Sequence, residues 1–354
     1  MSLQRSTFKP RWATAIVAVV TSLVLAAGCA AAPPADTAAG PATANSSAAP
    51  GSSTAPISVS GATSGPAASS SSATTAAFPV TVTGDNGQVT IPKRPVSIAS
   101  LSATATEMLY AIGAGDQVTV VDKYSDYPQT GLPDARVDAY QLNVEALTAY
   151  QPDLVITSGA SPEQETAFKT LGMPMLVQAA PADLNGTFAE IEALGEATGH
   201  VAQADALVAK LKSTVADIAS QAPAVAKPLT YYYELDQTYY SVTSDTFVGR
   251  VLGDLGLTSI ADDAEGAAAA GGYPQLSAEF ILKANPDYIF LTDTVCCDQS
   301  PASVAARDGW STLSAVSGGR VVALDDSVAS RWGPRIVDLM QTVVDALKEH
   351  PVAP

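Results

Sequence analysis

The sequence predicts an α/β protein of two lobes joined by one long helix, and three observations lead there. Residues 141–156 read QLNVEALTAYQPDLVI and residues 275–290 read QLSAEFILKANPDYIF, so five residue types recur at matching places: Gln141 and Gln275, Leu142 and Leu276, Glu145 and Glu279, Pro152 and Pro286, Asp153 and Asp287. The offset far exceeds the roughly 20–50-residue periods of solenoids, which points to one unit used once in each lobe. Leu154-Val155-Ile156 and Tyr288-Ile289-Phe290 are unbroken apolar runs, as strands buried on both faces of a parallel sheet require. Between the halves, residues 184–220 are rich in Ala, Leu, Glu and Lys at helical spacing. That pattern suits a stiff bridge, with Gly199-His200 the one place for a kink.

In chain order, Arg5, Lys9 and Arg11 precede an apolar run from Trp12 to Ala27 that ends on Gly28-Cys29. A positive flank, a short apolar stretch and small residues mark a secretory signal. The run is shorter than the roughly 20 apolar residues of a spanning helix. Residues 30–77 are nearly all Ala, Ser, Thr, Pro and Gly, with Asp36 the only charge. Such a segment buries too little apolar surface to order itself, so a disordered tether reaching on the order of 35–40 Å is expected.

The folded part begins near Phe78. Strands are expected at 96–99 and 118–121 around a helix at 103–112 capped by Ser102 or Thr104. Asn143 and Ser277 are caps for short helices that Pro152 and Pro286 end. A helix at 162–171 and a strand at 175–177 complete the first lobe. In the second, strands are expected at 229–235, 239–242, 288–292 and 321–324, and helices at 246–255, 300–306 and 334–349. The divisions are a signal segment 1–29, a tether 30–77, a lobe 78–183, a bridging helix 184–222 and a lobe 223–354.

Composition excludes several functions. The formal net charge is −17, and removal of the three basic residues of the signal makes it more negative still. So acidic a surface argues against nucleic acid and against direct adhesion to anionic lipid. His200 and His350 are the only histidines, too few for a cage of nitrogen ligands, and both read as solvated surface residues. No G-x-S-x-G elbow or P-loop occurs, and Gly113-Ala114-Gly115 lacks the third glycine of a dinucleotide fingerprint and follows a helix. Neither catalytic residues, a metal centre nor a cofactor is expected. Cys296 and Cys297 are the only cysteines besides Cys29; they are either a vicinal disulfide, a pair of free thiols or soft-metal ligands.

The stretch Leu25-Ala26-Ala27-Gly28-Cys29 resembles the lipobox of bacterial lipoproteins, with Ala26 where an aliphatic residue is usual. The resemblance implies lipidation of Cys29 and anchoring at the extracytoplasmic face of the cell membrane. Four longer motifs, in order, resemble the substrate-binding proteins of ABC importers for iron–siderophore complexes and vitamin B12. They are PKRPVSIASLSATATEMLYAIGAGDQVTVVDKYSDYP at 92–128, QLNVEALTAYQPDLVIT at 141–157, YPQLSAEFILKANPDYIF at 273–290 and SRWGPRIVD at 330–338. The resemblance covers about residues 79–350. It implies two Rossmann-like lobes on a helical backbone, and a monomer that captures a chelate or corrinoid and delivers it to an ABC permease dimer with its ATPase.

Site roles follow from the same resemblance. One acidic residue per lobe docks onto permease arginines, and Glu145 and Glu279 match that pair. The repeat supports this independently, since matching acids in both helices could meet a two-fold partner symmetrically; an acid in a first helical turn also steadies the helix by about 0.3–1 kcal/mol. Tyr124, in Tyr-Ser-Asp-Tyr-Pro, is similar to the ring-contacting tyrosine of B12 binders. Tyr140, Tyr240, Tyr273 and Trp332 fall at or near other aromatic cleft positions, and Arg331 and Arg335 could pair with ligand carboxylates or amide oxygens, or one could brace the loop. A haem binder of the same fold and an adhesive or structural lipoprotein are the alternatives. A nitrogenase-component-like enzyme would need several cluster-ligating cysteines.

Overall fold

The chain enters its fold through an antiparallel hairpin of β1 (Val80–Gly84) and β2 (Gly87–Ile91). The computed structural model describes residues 77–225 and 227–352; the expected signal, Cys29 and the tether as far as residue 76 lie outside the described residues. Gly87 turns the hairpin at φ 93°, where a side chain would be strained. Long apolar runs do not predict this hairpin, although its Asp-Asn-Gly corner and period-two alternation carry it.

The first lobe follows as β3 (Ile98–Leu101), α1 (Ala103–Ala111), β4 (Val118–Asp122), β5 (Arg136–Val137), α2 (Val144–Leu147), β6 (Leu154–Thr157), α3 (Pro162–Thr170) and β7 (Met175–Val177). Its strands form a parallel sheet in the order β5-β4-β3-β6-β7. The first of these strands starts at Ile98 rather than at residue 96. Val96 is 70% exposed after Pro95, and its N–H donates to Asp153 Oδ2 at 3.0 Å instead of to a strand.

The bridge divides at Gly199. Helix α4 (Leu184–Thr198) ends there because Gly199 is left-handed at φ 78°, and α5 (Val201–Ala219) starts afresh. Gly195 has no room for a side chain against Ala204, so the two helices meet closely across the turn. The first packs on the hairpin and α1, while the second runs to the second lobe. The stretch expected as one bridging helix over 184–222 is thus two helices, with α5 alone making the connection. His200, expected as a solvated residue, is half-buried at the break: its Nε2 lies 3.2 Å from Arg94 Nη2 and its Nδ1 3.0 Å from Thr198 Oγ1. Burial and the Arg94 charge lower its pKa.

The second lobe contains β8 (Leu229–Glu234), α6 (Phe247–Gly253), β9 (Leu257–Ser259), α7 (Ala278–Ala284), β10 (Tyr288–Leu291), α8 (Pro301–Ala305), α9 (Ser314–Ser317), β11 (Val321–Ala323), α10 (Asp326–Ala329) and α11 (Ile336–Glu349). Its parallel sheet has the order β11-β10-β8-β9. Residues 239–242, expected as a strand, are not one. Asp236 Oδ1 accepts from Thr238 N at 2.7 Å, Tyr239 is left-handed at φ 69°, and only Tyr240 pairs, in an isolated bridge to Gln275. Along α11, Ile336, Leu339, Met340, Val343, Val344 and Leu347 are buried, an amphipathic stripe that packs against α5.

The repeated unit does the same work in both lobes. Asn143 Oδ1 accepts from Ala146 N at 3.0 Å, and Ser277 Oγ accepts from Phe280 N at 3.1 Å. Gln151 and Asn285, each directly ahead of the proline, close their helices in the left-handed region at φ 48° and 46°, a common helix ending. The recurrent aspartates then tie down the neighbouring strand: Asp153 accepts from Val96 N and Asp287 from Thr230 N, at 3.0 and 2.8 Å.

Candidate functional site

In the first sheet the strand order reverses between β3 and β6, and ligands of open α/β sheets bind at the carboxyl ends of strands beside such a switch point. A cavity of about 690 Å³ lies there. Its walls include Ser102 and Thr104 after β3, Thr157 at the end of β6, and Ser158 and Ser161 after it. Ser102 and Ser161 are also helix caps, accepting from Ala105 N and Gln164 N, so local folding places these hydroxyls.

A buried chain of hydroxyls shapes the loop after β4. Ser100 Oγ lies 2.8 Å from Thr106 Oγ1, which lies 2.9 Å from Ser125 Oγ. Ser125 donates to Asp122 Oδ2 at 2.6 Å, and Asp122 Oδ1 accepts from Tyr124 N at 2.7 Å. Tyr124 is thereby presented to the cavity, half exposed, edge-to-face with Tyr140 at 5.6 Å between ring centroids. Lys123 sits 5.0 Å over the Tyr124 ring while held by Asp138 at 2.7 Å. Its hydrogen bond to Asp138 lowers the Asp138 pKa.

The opposite wall is the loop after α10, and it is anchored in the first lobe. Arg331 Nη1 donates to Glu107 Oε1 at 2.7 Å and to Asp126 Oδ1 at 2.6 Å, and its Nη2 to the Tyr124 carbonyl at 3.0 Å. Arg335 Nε donates to Glu107 Oε2 at 3.0 Å, and its guanidinium lies 4.2 Å over the Tyr127 ring. Burial lowers the pKa of both arginines, but bonds to Asp126 and Glu107 for Arg331, and to Glu107 for Arg335, outweigh it and raise them. Trp332 Nε1 donates to Glu190 Oε2 at 2.9 Å.

Of the expected ligand residues, Tyr124, Tyr140, Arg331 and Trp332 line this cavity. Tyr273 lines a smaller adjoining one of about 160 Å³ that shares Ser330, Arg331 and Trp332 with it. Tyr240 lines neither. Glu145 and Glu279 are exposed in the first turns of α2 and α7, and neither pairs with a cation among the described residues. Glu107, Asp122, Asp126 and Glu190 escape a sequence reading. The one available signal was Glu107 lying between Thr106 and Met108-Leu109 in a helix whose neighbouring positions are all buried, since a buried acid implies a cationic partner.

The second sheet reverses between β8 and β10, but its switch point is filled by the chain itself. Glu234 is fully buried and accepts from Arg307 Nη1 at 2.6 Å, and Arg307 lies 4.6 Å over the Trp310 ring. Asp293 is fully buried beside them, its pKa pushed up to about 6 by burial and then by the Glu234 charge. Cys296 and Cys297 are joined as a vicinal disulfide in a loop held by Asp326, which accepts from Thr294 N and Cys296 N at 2.9 and 3.0 Å. Among the described residues no group of three or more His, Cys, Asp and Glu is placed to hold a metal ion.

Glu190 offers a direct check of this geometry. Burial pushes its pKa from 4.5 to about 8, with nearby Asp85 adding to the rise and the Trp332 N–H opposing it. The folded state therefore keeps a proton that the unfolded chain has released. Its stabilising contribution is full below pH 4.5 and is lost as pH rises to about 8. Urea unfolding across this range should show wild type losing stability relative to Glu190→Gln as pH rises. Parallel curves would show that Glu190 is not held protonated.

Two parallel-sheet lobes that close on a cleft walled by aromatics and hydroxyls from both sides define a two-lobe ligand-binding protein. The chain belongs to the periplasmic binding protein family, whose model matches residues 98–328. YvrC, an ABC transporter substrate-binding lipoprotein of Bacillus subtilis, is 32% identical over 282 residues, 77% of this chain and 87% of the relative. A cobalamin-binding protein of Halobacterium salinarum is 28% identical over 281 residues, 76% of this chain and 74% of that one. The structure of the periplasmic vitamin B12-binding protein of Vibrio cholerae matches with a TM-score of 0.63 at 27% identity, over 74% of this chain and 100% of that one.

Proposed function

We propose that this protein captures a metal chelate of the corrinoid or iron–siderophore type in the cleft and delivers it to an ABC permease. The observation that carries this is the cavity of about 690 Å³ walled by Tyr124 and Tyr140 from one lobe and Trp332 from the other. Flat, rigid aromatics give a large planar or chelated ligand contact area at low entropy cost. Among the described residues no histidine lines either cavity, so haem would need a tyrosine as its axial ligand. Titration calorimetry with cobalamin, ferric trihydroxamates and haem tests the reading. Binding at micromolar or tighter by a corrinoid or ferric chelate is expected, and silence across the series would overturn it.

Delivery requires that the protein stay near its permease. The signal pattern of residues 1–29, with Cys29 at its end, supports acylation there, and the YvrC relative is described as a lipoprotein. Among the described residues no helix is long and apolar enough to cross a membrane. Glu145 and Glu279, one exposed acid at the start of the same helix in each lobe, are the docking pair for the two halves of a permease. They follow Tyr140 and Tyr273, which border the cavities, by five and six residues along the chain. The protein acts as a monomer.

A further inference from the structure

We infer that the cleft selects metal chelates of no net negative charge, such as amide-edged corrinoids and neutral or cationic hydroxamate chelates, and rejects polyanionic ones. This rests on the importer reading above and names its ligand class. Among the described residues, Asp122 and Arg331 are the only charged ones that line the larger cavity, and Arg331 is the only one that lines the smaller. Arg331 already holds Glu107 and Asp126 at 2.7 and 2.6 Å, and Arg335 behind it holds Glu107 at 3.0 Å. Lys123 at the rim is held by Asp138 at 2.7 Å. Two guanidiniums are therefore matched by the carboxylates of Glu107 and Asp126, Asp122 adds a third carboxylate at the cavity wall, and among the described residues no further cation lines either cavity.

An anion entering this site would exchange its hydration for a cleft without a counter-charge, and carboxylates within a few ångströms would repel it. The acidic body, at −17 for the whole chain, repels it at longer range. What the cleft does offer is hydroxyl and amide groups, from Ser102, Thr104, Thr157, Ser158, Ser161 and Gln164. These match the amide edges of a neutral chelate without needing its charge.

The test is a charge series measured by calorimetry on the full folded protein: cyanocobalamin, a neutral and a cationic ferric trihydroxamate, and a trianionic ferric tris-catecholate. At least one of the first three should bind about tenfold or more tighter than the tris-catecholate. Glu107→Gln frees positive charge on Arg331 and Arg335 and should narrow that gap. Asp126→Asn, at an exposed position, should narrow it less, and it keeps the test valid if the buried variant fails to fold. Equal or tighter binding of the tris-catecholate by wild type, or an unchanged gap in Asp126→Asn and in any folded Glu107→Gln, would overturn the inference alone. Failure of every chelate to bind would overturn the importer reading and this inference with it.

Discussion

Reversing both exposed acids of the repeat, Glu145→Lys with Glu279→Lys, should abolish ligand uptake while leaving ligand affinity within about twofold if they are the docking pair proposed above. Both side chains are exposed, lie outside the cavities and carry no partner among the described residues. Their removal should therefore leave the cleft unchanged. A permease that presents arginines would meet repulsion at both contacts, and like-charge juxtaposition across an interface is disfavoured by several kcal/mol. The helix-dipole role predicts a different result, a loss of about 0.3–1 kcal/mol of stability per site with uptake retained. Transport into proteoliposomes, paired with calorimetry on the free protein, separates the two. Lost ligand affinity, or retained uptake, would remove the docking role.

Truncating Glu107 should produce the largest loss of stability available at the lobe interface. Its carboxylate is 1% exposed and serves Arg331 and Arg335, whose side chains are 11% and 16% exposed. Glu107→Leu leaves two nearly buried guanidiniums short of a counter-ion, and breaking such a cluster from one side typically costs about 3–5 kcal/mol. Replacing all three residues together, by Leu at 107 and Met at 331 and 335, removes the charges along with their desolvation and should recover most of that loss. Urea unfolding of both variants measures this. A loss below about 1 kcal/mol in Glu107→Leu would mean that the cluster does not hold the lobes together. The same cluster, with α5, argues for little closure on ligand binding, which scattering with and without a chelate would register.

Much of the fold was legible because its signals are local. Ser102, Asn143 and Ser277 cap helices through bonds three residues long, and β6 and β10 are buried at every position, so both kinds of element show in a short window. Strands β5 and β9 are short and broken by a polar residue, Arg136 and Thr258, so they lack the unbroken apolar run that marks the equally short β7 and β11. Residues 239–242 have strand-like composition, but the Asp236 turn and the left-handed Tyr239 break the extended run and leave one bridge, from Tyr240 to Gln275. The bridge breaks at Gly199, where the sequence leaves room for a kink; its left-handed backbone ends one helix and starts another although the residues on either side continue a helical pattern.

The sequence by itself determined the repeated unit, the two parallel lobes, the acid pair at Glu145 and Glu279, and the aromatics and arginines gathered at 124–140 and 330–335. It could not determine whether those arginines have charge to spare. Glu107 and Arg331 lie 224 residues apart, and Glu190 and Trp332 lie 142 apart, distances over which no periodicity or spacing persists. The net charge of a cleft depends on how its ions are paired, and pairing across two lobes exists only once both have folded and met.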